Sequence, residues 1–271
     1  MLRRLRLLLK LGVESRSKAV KLQGVWVPLI TPFRDGRVDT PSLQNLVERL
    51  IADGVSGLVA LGTTGECPVV SRAEHLEIAR VVKDAAKGRV PVLVGAGGPD
   101  TRQTIALVHE LEGLGVDGIL SVCPYYSRPN QAGILAHFQA IAAATSLPIV
   151  LYNIPYRTGV NMENETIRAL AAHPNIVGLK DSCGNIQQSM GLLREPPGGL
   201  FDSHRRRRLV LCDARVGCPG RHFGCGASRH SEIRRSMAAP TAKRSRCRAN
   251  AMAVACRHRV VAFCRAQSGA A

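Results

Sequence analysis

The sequence predicts an α/β protein of the TIM (β/α)8 barrel class in which only the first six βα units are recognisable. Short apolar runs recur between residues 25 and 179 at steps of 27 to 33 residues, the spacing of successive βα units. The runs lack polar alternation, as expected for parallel strands that are covered on both faces. Six units without a break for a second domain favour a barrel over a doubly wound sheet.

Each apolar run predicts one strand, and helix signals lie between the runs. The predicted strands are 25–30, 57–61, 91–94, 118–122, 148–152 and 176–179. Thr40 is the predicted N-cap of the first helix, with Pro41 at its first position and Gly54 after its end. Ser71 and Glu74 have the spacing of a capping box that opens the second helix. Later helices are predicted over 100–114 and 131–145, and from residue 161 or 163 to before residue 174.

Positive charge is concentrated at the two ends of the 271-residue chain. The formal charge of +17 divides into +6 for residues 1–21, −2 for 22–200 and +13 for 201–271. We therefore expect a basic N-terminal extension (1–21), a barrel (22–200) and an aberrant, Arg- and Cys-rich segment (201–271) with poor order. Residues 1–21 read either as an amphipathic targeting presequence or as the product of a start codon placed too far upstream, and charges within their apolar run argue against a secretory signal.

The cysteines predict a reducing compartment and no metal. Cys67, Cys123 and Cys183 are scattered through the barrel segment, which does not resemble a disulfide framework, so we expect a cytoplasmic protein. The last segment holds six more cysteines, and the spacing of its potential ligands matches no common zinc finger. Those potential ligands are Cys212, Cys218, His222 and Cys225. No run of about 18 apolar residues occurs, so a membrane-spanning helix is not expected.

Polar side chains follow four of the predicted strands. Thr63 and Thr64 follow the second strand, Tyr126 the fourth, Tyr152 ends the fifth and Lys180 follows the sixth. Catalytic groups of barrels lie at these carboxyl ends, where partial desolvation favours a neutral, nucleophilic lysine amine. A single lysine there is more often a solvated charge. A lysine together with phenols and hydroxyls, which can relay protons and bind a carboxylate, favours a Schiff-base site.

Five motifs carry a resemblance to a known family. GVWVPLITPF, GTTGE, PYYSRPNQ, LYNIPYRTG and VGLKDSCGN occur in this order between about residues 22 and 200. They resemble the motifs of the dihydrodipicolinate synthase and N-acetylneuraminate lyase family of pyruvate-dependent class I aldolases. The resemblance implies a TIM barrel, a homotetramer built from dimers, and catalysis without a metal or an organic cofactor.

The resemblance also implies roles for single residues. Lys180 matches the lysine that forms an imine with pyruvate, and Tyr152 matches the proton relay above it. Thr63 and Tyr126 match the partners that complete the relay, and Tyr126 is expected to reach into the site of a neighbouring subunit. No cofactor is expected beyond the covalent pyruvate imine on Lys180.

Two further positions concern the substrates. Thr64 matches the residue that holds the pyruvate carboxylate. Arg157 matches an arginine at the mouth that receives the carboxylate of the second substrate, although by itself it reads as a surface-loop arginine. The motifs most resemble the synthase branch, so aspartate semialdehyde is the expected second substrate, in lysine and diaminopimelate biosynthesis. The alternative is a lyase for N-acetylneuraminate or 2-keto-3-deoxy sugar acids.

The resemblance ends after residue 200. The family has a strand and a Gly-Glu-Asp or Gly-Asp-Asp turn there, whereas this chain has an Arg-rich run at 205–208. One hypothesis is a change of reading frame near residue 201. The stretch DSHRRRRLVLC can be encoded so that reading one base later yields ILTGEDALFY, which resembles the missing motif.

The altered segment sets two expectations. Only 209–211 and 260–263 are apolar enough to pass for strands, so we predict that the first and sixth strands lack closing partners. A chain with such edges is expected to fold poorly or to have little activity. A hypothesis of another class is a non-catalytic basic binding protein on a barrel remnant. The segment holds only three aromatic residues, so stacking platforms for single strands are missing and we do not expect nucleic acid as a partner. A membrane partner is not expected either.

Overall fold

Eight strands form a closed ring in the computed structural model, which describes residue 20, residues 22–195 and the strands 209–212 and 261–263. The ring strands are β1 (Gly24–Pro28), β4 (Gly57–Ala60), β5 (Val92–Gly95), β6 (Gly118–Val122), β7 (Ile149–Asn153), β8 (Ile176–Asp181), β9 (Leu209–Cys212) and β10 (Val261–Phe263). A two-stranded hairpin, β2 (Phe33–Arg34) and β3 (Arg37–Val38), lies outside the ring.

The predicted barrel class is confirmed, and all six predicted strands are present. Strands β1 and β4 to β8 are consecutive parallel neighbours. The last of them runs beyond the predicted end at residue 179, because Lys180 and Asp181 continue the ladder opposite Tyr152 and Asn153. The last two residues of β7 and the last two residues of β8 therefore lie side by side at one end of the ring.

The prediction of two unpaired edges is wrong for the described residues. Strand β9 pairs parallel with β8, and β10 pairs antiparallel with both β1 and β9. The two short apolar clusters of the last segment thus satisfy the backbone groups of the edge strands. The antiparallel β10 departs from an all-parallel (β/α)8 ring. The remainder of 201–271, for which poor order is predicted, and residues 1–19 lie outside the described part of the chain.

Helices separate the parallel strands. The described helices are α1 (Thr40–Ala52), α2 (Arg72–Ala86), α3 (Thr101–Gly113), α4 (Gln131–Ala143), α5 (Pro155–Thr158), α6 (Asn164–Ala171) and α7 (Ile186–Arg194). Two short 3-10 turns, Thr63–Gly65 and Cys67–Val69, follow β4. None of the helices within the described residues is long and apolar enough to cross a membrane.

Side-chain caps fix where the first helices begin. The predicted N-cap Thr40 is wrong by one residue: Asp39 caps α1, and its carboxylate accepts a hydrogen bond from the backbone N–H of Ser42 at 3.1 Å. The acid reaches the third helical N–H, so Thr40 becomes the first helical residue. The predicted capping box is confirmed, since Ser71 and Glu74 each accept from the other's backbone N–H.

Apolar side chains fill two separate spaces. One cluster lies inside the ring and takes one residue or more from each of the six parallel strands, and the other lies between the strands and the helices. The inner cluster includes Trp26, Val59, Leu93, Leu120, Val150, Tyr152 and Val177. Neighbouring residues such as Leu58, Val92 and Leu151 belong to the outer cluster. Alternate residues therefore point to opposite faces, and both faces are buried.

Candidate active site

Lys180 and Tyr152 meet at the end of neighbouring strands. They are direct cross-strand partners in β8 and β7. The Nζ atom of Lys180 lies 4.1 Å from the centre of the Tyr152 ring. Tyr152 is 4% exposed, and Lys180 is half-buried. The structure thus brings together the two residues that the motifs assign to imine formation and to the proton relay.

An irregularity in β8 turns the candidate lysine toward Tyr152. Ile149 pairs with Ile176, but the next residue, Val150, pairs with Gly178. The residue between, Val177, is therefore an extra residue of the kind found in a β-bulge. Because side chains alternate along a strand, one extra residue reverses the face of every later residue. Without it, the lysine would point outward into the helix layer.

Thr63 and Thr64 occupy a short turn at the end of β4. They begin the 3-10 turn Thr63–Gly65, with Thr63 exposed and Thr64 half-buried. Their hydroxyls make no hydrogen bond to the described residues. Both hydroxyls therefore remain available to a ligand at the carboxyl end of the ring.

The turn is held in a constrained backbone. Leu61 and Glu66, on either side of it, both have φ of 55°, in the left-handed region that non-glycine residues seldom adopt. The hydroxyl of Thr31 donates to the carbonyl oxygen of Gly65 at 2.6 Å. A hydrogen bond from the loop that follows β1 thus fixes the position of the two threonines. Left-handed residues such as Leu61 and Glu66 are typical of backbone strain maintained at a functional site.

We expect Gly95→Ala to destabilise the protein by about 1–3 kcal/mol, the usual cost of overpacking. A Cβ atom at Gly95 would lie 1.9 Å from the carbonyl oxygen of Leu61, so the turn would have to move. The control is Gly113→Ala at the end of α3, where no atom lies within 4 Å. That change should stabilise by about 0.5–1 kcal/mol. Urea unfolding measures both, and equal midpoints would contradict the close approach.

Tyr126 points away from its own chain. Its side chain is 94% exposed, although tyrosine is a large aromatic residue. Its backbone has φ of 69°, and Arg128 nearby has φ of 46°. The neighbouring Tyr125 is half-buried, and burial raises the pKa of its phenol. Within one chain, Tyr126 therefore does not join the contact between Lys180 and Tyr152.

Arg157 lies in helix α5, directly after β7. Its side chain is exposed, and its Nε donates to the hydroxyl of Tyr156 at 3.2 Å. The guanidinium carbon lies 5.2 Å from the centre of the Tyr156 ring. The Tyr156 ring thus holds the guanidinium near the end of the strand that carries Tyr152. The other N–H groups of the guanidinium can donate hydrogen bonds to an anion.

Two buried polar residues received no role from the sequence. Asn153 and Asp181 directly follow Tyr152 and Lys180 and are 0% and 3% exposed. A polar residue after an apolar run reads as a loop residue, and only the structure shows these two enclosed. Their position immediately after the candidate pair was the one signal available.

Burial favours the neutral forms of Cys67, Cys123 and His75. Cys67 Sγ lies 3.9 Å from His75 Nδ1. Burial raises the pKa of Cys67, and burial lowers the pKa of His75 to about 4. Burial also raises the pKa of Cys123 to about 12. A thiolate and imidazolium pair is therefore not expected at neutral pH. Over the described part of the chain, no three His, Cys, Asp or Glu residues are grouped to hold a metal ion.

A profile of the dihydrodipicolinate synthetase family matches residues 21–199 of this chain. The chain belongs to that family. Its sequence is 47% identical over 178 residues to 4-hydroxy-tetrahydrodipicolinate synthase 2 of Clostridium acetobutylicum, a match that covers 66% of this chain and 62% of the relative. A match to the Porphyromonas gingivalis synthase is 45% identical over 202 residues, 74% of this chain and 68% of that enzyme. The chain thus spans only about three fifths of the first relative.

Solved structures of family members have the same fold. The chloride-inhibited dihydrodipicolinate synthase of Acinetobacter baumannii, complexed with pyruvate, superposes with a TM-score of 0.75 at 33% identity, over 87% of this chain and 81% of that one. A synthase of Bacillus anthracis also gives 0.75, at 29% identity and with 88% and 82% covered. These matches confirm the family resemblance and the barrel class.

Proposed function

We propose that this protein forms an imine between Lys180 and pyruvate and condenses it with aspartate semialdehyde, as a 4-hydroxy-tetrahydrodipicolinate synthase. The observation that carries the proposal is the packing of the Lys180 amine against the Tyr152 ring, 4.1 Å from its centre, at the carboxyl end of a barrel. The name of the first relatives and the pyruvate complex of the Acinetobacter baumannii enzyme support it.

The residues of this chain supply each step of the reaction. The neutral amine of Lys180 attacks the ketone carbon of pyruvate, and a proton from the Tyr152 phenol lets the oxygen leave as water. The protonated imine then loses a methyl proton to the Tyr152 phenolate and becomes a neutral enamine. The enamine carbon attacks the aldehyde carbon, the protonated imine forms again, and the aldehyde oxygen takes a proton from the Tyr152 phenol. Attack of water or of an amine on the imine carbon releases Lys180.

The remaining candidates bind the substrates or complete the relay. Thr64 is half-buried beside the ring and suits the pyruvate carboxylate, whereas Thr63 suits the proton relay. The exposed guanidinium of Arg157 suits a forked contact with the carboxylate of the aldehyde. The exposure of Tyr126 supports a role in the site of a second copy, within a homotetramer built from dimers.

We expect capture of pyruvate to be retained better than turnover. The groups that form the imine lie within residues 21–199, the part of the chain that the family profile matches. The family profile ends at residue 199, before strands β9 and β10. Turnover with aspartate semialdehyde should therefore be weak compared with that of a family member whose whole barrel the profile matches.

Borohydride reduction in the presence of pyruvate tests the proposal on the unaltered chain. We expect a reduced pyruvyl group on Lys180 when tryptic peptides are mapped by mass spectrometry. Aspartate semialdehyde should lower the trapped fraction by consuming the enamine, whereas N-acetylmannosamine and glyceraldehyde should not. Labelling only at Lys83 or Lys87, or none at all, would refute the imine. Protection by one of the sugar aldehydes alone would refute the choice of second substrate.

A further inference from the structure

We propose that Asn153 and Asp181 are positioning residues that set the spacing of Tyr152 and Lys180. Each directly follows one member of the candidate pair, and the two are cross-strand partners in β7 and β8. Their side chains point to the outer face of the ring, whereas Tyr152 and Lys180 point to the inner face. The inference rests on the proposed function for its effect on pyruvate capture.

Asn153 joins the end of β7 to the end of β8. Its amide nitrogen lies 3.3 Å from Oδ1 of Asp181, and its backbone carbonyl accepts from the N–H of Ser182 at 2.8 Å. Its amide nitrogen also donates to Oδ1 of Asn161 at 2.9 Å, and its Oδ1 accepts from the N–H of Met162 at 3.0 Å. One buried side chain thus ties together two strand ends and the segment before α6.

Asp181 is held by neutral donors. Its Oδ1 accepts from the N–H of Cys183 at 3.1 Å, and its Oδ2 accepts from the hydroxyl of Ser189 at 2.6 Å. The thiol of Cys183 lies 3.2 Å from the same Oδ2. Among the salt bridges of the described residues, none involves this carboxylate. The hydrogen bond from Ser189 joins the end of β8 to helix α7.

The location of the pair argues against a purely structural role. Two residues earlier in each strand, on the same outer face, Leu151 and Leu179 are cross-strand partners and are fully buried. An apolar pair would be the more stable choice for a buried layer, because enclosing a carboxylate carries a desolvation cost. The change from an apolar to a polar pair occurs next to the two reacting side chains. Directional hydrogen bonds fix the separation of the strand ends more narrowly than apolar packing does.

A pair of matched alanine variants tests the proposal. Asn153→Ala removes the bridge at the carboxyl end of the strands. Asn175→Ala removes an amide directly before the other end of β8, where Asn175 donates to the carbonyls of Ala142 and Thr145 at 3.0 and 2.7 Å. Both variants lose side-chain hydrogen bonds, which are buried at Asn153 and partly buried at Asn175. We expect pyruvate trapping to slow about tenfold to a hundredfold in Asn153→Ala, as for a small misplacement of reacting groups, and less than about twofold in Asn175→Ala.

A second readout does not depend on pyruvate. Trace labelling with acetic anhydride, mapped by mass spectrometry, compares the reactivity of Lys180 with that of the exposed Lys87. In Asn153→Ala the Lys180 amine should become several times more reactive, because it leaves the Tyr152 ring. Unchanged labelling in that variant overturns the proposal. Increased labelling in the variant, together with no trapping by the unaltered chain, refutes the imine but supports the positioning role.

The isosteric variant Asp181→Asn separates position from charge. Its side-chain oxygen still accepts from Asn153, and Ser189 can accept from its new amide. We therefore expect Lys180 labelling and pyruvate trapping within about twofold of those of the unaltered chain. A loss as large as that in Asn153→Ala would mean that the carboxylate charge matters, and the positioning proposal would fail.

Discussion

Lys180→Met is expected to abolish covalent capture of pyruvate. Imine formation needs a primary amine, and a thioether cannot replace it. Methionine is similar in length and unbranched, and its sulfur packs well against an aromatic ring. The variant should therefore keep the contact with Tyr152 and its stability. Mass spectrometry after borohydride reduction should find no pyruvyl adduct on the variant.

Lys83→Met is the matched control. Lys83 lies on α2, and its Nζ atom is 3.2 Å from Oδ2 of Asp117 in a partly buried ion pair. This variant should lose stability, by up to about 1 kcal/mol, yet capture pyruvate at the normal rate. Capture that survives in Lys180→Met but is lost in Lys83→Met would overturn the assignment of the nucleophile.

Tyr152→Phe is expected to slow pyruvate capture by about 10²–10⁴-fold, the usual contribution of a positioned general acid or base. Tyr152 is 4% exposed and belongs to the inner cluster, so a phenylalanine at this position keeps the packing of the aromatic side chain. Only the hydroxyl that passes protons to and from the imine is removed. Samples reduced with borohydride at successive times after the addition of pyruvate give the rate of imine formation.

Tyr156→Phe removes a phenol from the same mouth without touching the proposed relay. Tyr156 is 57% exposed, and its hydroxyl accepts from Arg157. We expect its rate of pyruvate capture to stay within about twofold of that of the unaltered chain. Equal slowing in the two phenylalanine variants would show that the loss of any phenol at the mouth perturbs the site, and Tyr152 would lose its role.

Local sequence signals predicted most of the elements. Of the two predicted N-caps, Ser71 was correct, and Thr40 was wrong by one residue. The apolar runs predicted six strands because parallel strands buried on both faces need continuous apolar residues. The Ser71 and Glu74 capping box was predicted because both partners lie within four residues of each other. Thr40 failed as a cap because Asp39, beside it, is an equally good cap, and the geometry of the chain entering α1 decides between them.

The candidate site divides in a similar way. The residue types and their order along the chain indicated Lys180 and Tyr152, because reactive groups of a barrel follow the ends of its strands. Nothing in the sequence showed that Asn153 and Asp181 are enclosed, or that Val177 is an extra residue. Burial and strand register depend on residues far apart in the chain, so a local pattern does not contain them.

The sequence by itself determined the repeating βα pattern, the family and the choice of Lys180 as the candidate amine, since each depends on residue types at short or regular spacing. Only the tertiary structure decided that β9 and β10 close the ring, that a bulge turns Lys180 inward, and that the buried polar pair Asn153 and Asp181 follows the two candidate side chains. Each of these depends on which strands become neighbours and in what register, and that is settled by the free energy of the whole packed chain.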